Sequence, residues 1–90
     1  MENKQLEKEQ LVGRIMLELK FQDYSPTYHK FLALERYMRA YLRGQTITEL
    51  EYELDSLDNF KKPTARTIAA LDLASERYDK FMAARTKVAV

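Results

Sequence analysis

An all-α fold, a small bundle of four helices, is what this sequence predicts, and three observations predict it. Apolar residues recur at intervals of three and four, never in the alternation that a strand requires. Only two Gly and two Pro interrupt 90 residues rich in Leu, Ala, Glu, Lys and Arg, which leaves little material for tight turns. The breaks in the periodicity also carry helix-capping residues. A chain of this length makes one domain, residues 1–90. It buries only about 60–65% of the surface that its unfolded form exposes, so the bundle is open to completion by dimerisation.

The first helix is expected over about residues 3–22, ended by Asp23-Tyr24-Ser25-Pro26. Ser25 suits an N-cap, with Pro26 pre-set for the first position of a second helix over 26–43. Gly44 stands where a left-handed C-cap belongs. Thr46-Ile47-Thr48-Glu49 has the spacing of a capping box, opening a third helix over 47–58. Asn59 to Lys62 form the next loop, and Pro63 opens a fourth helix over 63–86.

Stepping each residue about 100° around its helix shows which faces want burial. The third helix has one narrow seam, Ile47, Leu50, Leu54 and Leu57. The fourth has a wider stripe running from Ile68 and Leu71 through Ala74, Ser75 and Tyr78 to Phe81 and Met82. The second buries half its circumference through Tyr28, Phe31, Leu32, Leu34, Met38, Tyr41 and Leu42. The first helix differs. Leu11, Val12, Ile15, Met16 and Leu19 make its main face, while Leu6, Gly13, Leu17 and Phe21 line a second face on the far side. A bundle helix needs one apolar face, so either this helix is central and touches more neighbours, or its second face packs on another chain with Gly13 permitting close approach. Two copies meeting there would pair about a two-fold axis. Tyr37 and Tyr52 fall on polar faces and are candidate contact anchors.

The net charge of +1 hides a segregated layout. Residues 1–23 carry −1, 24–44 carry +3, 45–60 carry −5 and 61–90 carry +4. Arg36, Arg39 and Arg43 share one arc of the second helix with His29, and Lys61, Lys62 and Arg66 cluster at the start of the fourth. Such stripes attract phosphates or a partner's acidic groove. Set beside the acidic third helix, the arginines also suit a solvated face paired with its carboxylates. Glu35 lies within the apolar arc of the second helix and is expected to pair with Arg39 one turn on.

Chemistry is poorly supplied. There is no Cys, and one His, His29, cannot build a poly-His metal site or supply several catalytic bases. Gly13 and Gly44 stand alone, so no Gly-rich phosphate loop is present, and no acidic calcium loop is found. Ser25 and His29 are four apart, but a capping hydroxyl is a poor nucleophile. No catalytic residue, cofactor site or metal site is therefore expected. Apolar runs are far shorter than the roughly 20 residues of a membrane span, and the N-terminus does not resemble a signal peptide, so the cytoplasm is the expected location.

Thr46 to Leu57 followed by Pro63-Thr64-Ala65-Arg66-Thr67-Ile68 resembles a helix-turn-helix, whose second helix reads bases from its N-terminal residues. The resemblance implies a DNA-binding regulator with Thr64, Arg66 and Thr67 facing DNA. The sequence departs from that pattern in a long connection, Asp58 to Lys62, and in an acidic leading helix. The size, the segregated charge and the doubly apolar first helix favour a different expectation. It is a non-enzymatic adaptor or regulator of the inhibitor, chaperone or assembly-factor type, acting by protein–protein binding and self-associating.

Overall fold

The computed structural model describes residues 2–21, 25 and 27–89, with side chains at 5–21, 25 and 27–85. The chain is an all-α bundle of four helices: α1 Glu2–Glu18, α2 Tyr28–Arg43, α3 Ile47–Phe60 and α4 Ala65–Ala89. The α1/α2 hairpin is central. α1 packs against both α2 and α3, and α4 packs against α2. The core draws on all four: Val12, Ile15, Met16 and Leu19; Leu34, Met38 and Leu42; Leu50, Leu54 and Leu57; Ala70, Leu71 and Ala74. Each fully buried large side chain, such as Ile15, Leu34 or Leu50, contributes about 1.5–3 kcal/mol.

The ends of the helices differ from expectation in instructive ways. α1 stops at Glu18, short of 22. Leaving the helix there turns Phe21 inward, away from the outward stripe that a continued helix would give it. Its ring is only 3% exposed and meets Phe31 edge-on, with centroids 5.8 Å apart at 83°. The N-cap of α2 is Thr27, whose hydroxyl accepts from the Lys30 amide at 3.2 Å, and not Ser25, whose Oγ is buried without a hydrogen-bond partner among the described residues. Pro26, expected at the first helical position, lies outside the described residues, as do Gln22, Asp23 and Tyr24.

Gly44 closes α2 with φ −79°, so its left-handed freedom goes unused. The left-handed cap is instead Lys61 after α3, at φ 57°. The capping box forms as expected: Thr46 Oγ1 accepts from the Glu49 amide at 3.1 Å, and Glu49 Oε1 accepts from the Thr46 amide at 2.9 Å. α3 runs two residues past its expected end, and α4 begins at Ala65, with Thr64 and not Pro63 at its threshold.

Four residues expected inside lie outside: Tyr28, Leu32, Phe81 and Met82. Lys30 explains two of them. It takes the inward position of the first turn of α2, in phase with Leu34, Met38 and Leu42, and residues two apart on a helix point nearly opposite ways. Length explains the others. α4 has 25 residues against 16 in α2, and Lys30 already meets Asp79 at 3.0 Å. The apolar stripe of α4 then runs off the end of the bundle, leaving Phe81 59% exposed.

Candidate functional site

The outward side of α1 is the first candidate. Leu6, Gly13 and Leu17 fall within about 40° of one another around the helix. Leu17 is 87% exposed and Leu6 60%, whereas the neighbouring Val12 and Ile15 are fully buried. Gly13 is half-buried, and a methyl group added to it would meet nothing within 4 Å. The chain itself makes no use of the missing side chain. α1 is central, as one of the two sequence readings had it, since α2 and α3 both pack on it. Even so, two of its four outward residues stay wet. Phe21 leaves the set for the core, and Tyr37 also departs from its expected polar face, being half-buried against the core.

The basic residues do not act as one group. Arg43 makes a two-pronged contact with Glu9 of α1, Nε to Oε1 at 3.1 Å and an Nη to Oε2 at 3.2 Å, and so does not serve the acids of α3. Arg36 is exposed and Arg39 half-buried, and neither joins an ion pair among the described residues; the expected Glu35–Arg39 pair is absent. The acid that Arg14 reaches is Asp58 of α3, at 3.3 Å. Lys61 and Lys62 are exposed in the α3–α4 connection.

That connection is the second candidate. It spans four residues between Phe60 and Ala65, within the range of a helix-turn-helix. The residues that would read bases are engaged by α3. Glu53, 5% exposed, accepts from the Thr64 amide at 2.8 Å, from the Thr64 hydroxyl at 2.6 Å, and from the hydroxyl of the buried Thr67. Arg66 donates to Glu49 at 2.8 Å. A carboxylate at a helix N-terminus meets the positive end of the helix dipole and otherwise unpaired amides, so Glu53 holds the start of α4 from outside it.

Glu49 is pulled down to about 2. The Thr46 amide contributes most, then the hydrogen bond from Arg66, then the Thr46 side chain. Glu49 in turn holds Arg66 above its ordinary value, chiefly through their hydrogen bond.

Beside these pairs lies an open cleft of about 470 Å³, walled by Tyr41 of α2 and by Thr48, Glu49 and Tyr52 of α3. Glu53 of α3, Thr64 at the threshold of α4 and Arg66 of α4 complete its lining. Tyr52, singled out in the sequence, is 70% exposed and forms the ridge between this cleft and a smaller one reaching Phe60 and Lys62. The sequence reading passed over Glu53 as one acid of five. Its position was a signal: three residues after Leu50 and four before Leu57, it interrupts the apolar seam of α3.

Among the described residues no three His, Asp or Glu gather as a metal-binding group, and no helix is long and apolar enough to cross a membrane. Comparison with known protein families, curated proteins and solved structures finds no match to this chain.

Proposed function

We propose that this chain is a small non-enzymatic adaptor or regulator of the cytoplasm that works by binding protein, pairing with a second copy of itself through the outward side of α1. The observation that carries the reading is Leu17, 87% exposed in mid-helix on the same stripe as Leu6 and the open notch of Gly13. Single exposed leucines are ordinary, but an aligned row beside a residue that admits close approach suits a helix–helix contact. The row is self-complementary. Antiparallel pairing about a two-fold axis midway between Leu6 and Leu17 sets Leu6 of one copy on Leu17 of the other, with Gly13 opposite Gln10.

Light scattering coupled to size-exclusion chromatography tests this. The expected mass is twice 10.7 kDa for the wild type and 10.7 kDa for Leu17→Glu. A wild type that elutes as a monomer at every concentration, indistinguishable from the variant, removes the basis for the reading.

The alternative, a DNA-binding regulator built on α3 and α4, draws support from the four-residue connection and from the exposed Lys61 and Lys62. It ranks second because Glu53 and Glu49 occupy Thr64, Thr67 and Arg66 and would bring negative charge to the phosphates. It calls for duplex retardation that weakens steeply with salt and with Arg66→Ala; no retardation at low salt ends it.

A further inference from the structure

The cleft between α3 and the start of α4 stands apart from the α1 face, and its lining selects a ligand by charge and shape. Its charged groups are two carboxylates, Glu49 and Glu53, against one guanidinium, Arg66. Arg66 and Glu49 satisfy each other at 2.8 Å. Glu53 is different: it is buried, and no cation pairs with it among the described residues. Its Oε1 accepts from two hydroxyls, while Oε2 accepts only the Thr64 amide and keeps a lone pair free. Tyr41 and Tyr52 supply aromatic wall.

An anion entering here meets two carboxylates, and the Thr64 amide that opens α4 is already spent on Glu53. A purely apolar group would leave the spare lone pair of the buried Glu53 without a donor. A flat cation answers both demands, stacking on a tyrosine ring while its N–H edge donates to a carboxylate. We propose that this cleft receives an arginine side chain from a partner polypeptide, with Tyr52 as the stacking wall and Glu53 as the acceptor. Lysine fits less well, since a compact ammonium offers no plane to stack.

The probe is a capped Gly-Arg-Gly tripeptide titrated into the isotope-labelled full chain, read by amide chemical shifts. The expected result is saturable shifts confined to residues 48–53 and 64–66. Replacing the arginine of the peptide by citrulline, which keeps the shape and removes the charge, should weaken binding by about tenfold or more. Tyr52 is exposed and outside the core, so Tyr52→Ala should keep the fold and weaken binding by about threefold or more. Glu53→Gln should weaken it further, its unchanged spectrum elsewhere reporting an intact bundle. Equal binding of the citrulline peptide, shifts outside the cleft, or no shift at tens of millimolar overturns the proposal. The Leu17→Glu variant should bind the peptide as the wild type does, so failure of the α1 reading and failure of this one remain distinguishable.

Discussion

The α3–α4 junction and the outward side of α1 contrast in both burial and chemistry: Glu53 and Thr67 are buried, whereas Leu6 and Leu17 are exposed. At the junction the buried charge, the threonine hydroxyls and the first amide of α4 bond to one another, and the exposed Arg66 is held by Glu49. On the outward stripe of α1 two leucines are exposed beside a half-buried glycine, with nothing of their own chain to touch at Gly13. The junction bonds mostly to itself, with one lone pair of Glu53 to spare, whereas the α1 face is left unfinished. A polar cluster that satisfies most of its own groups holds the fold first, and an apolar row that does not is the better place to look for a second copy of the chain.

Substitutions can break this contrast. Glu53→Ala removes the acceptor of three hydrogen bonds and orphans buried donors, an expected loss of about 3 kcal/mol in chemical denaturation. A loss below about 1 kcal/mol would mean that the junction is held by packing alone. Leu17→Ala should leave the stability of the dilute monomer within about 0.5 kcal/mol of wild type. Gly13→Ala sharpens the contrast by sign. In a lone helix it should stabilise by up to about 1 kcal/mol, and at a contact between chains the added methyl should weaken association; denaturation at low concentration and sedimentation at high concentration read the two effects separately.

The capping box adds a pH signature. Glu49 titrates near 2 when folded and near 4.5 otherwise. A lowered folded value means that its contribution is complete above about 4.5 and fades as the pH falls toward 2. The stability difference between wild type and Glu49→Gln should therefore be constant from neutral pH to about 5 and vanish near pH 2, as followed by thermal unfolding. A small effect is expected at Lys61, whose φ of 57° suits glycine. Lys61→Gly should raise stability by about 0.5 kcal/mol, and a loss would show that its backbone is not strained.

Much of this fold is legible in the sequence because local rules dominate it. Thr46 and Glu49 announce their box by spacing, and Leu50, Leu54 and Leu57 announce their seam by period. What the helical wheel could not see was where one helix outlasts its neighbour. Phe81 and Met82 continue a correct stripe into solvent because they lie past Asp79, which already meets the first turn of α2 at Lys30. Phe21 is buried because the helix stops first, a decision made in the loop and not in the periodicity. The pairing of charges was equally illegible. Arg43 finds Glu9, 34 residues away, over the neighbouring acidic helix, because α1 and not α3 flanks α2.

Isotope-filtered NOE spectroscopy on a mixture of labelled and unlabelled chains tests the outward face of α1 most directly. Contacts between chains that join the Leu6 methyls of one copy to the Leu17 methyls of the other are the expected result. A concentrated sample without contacts between chains, or with contacts only at Phe81 and Met82 of α4, would contradict it.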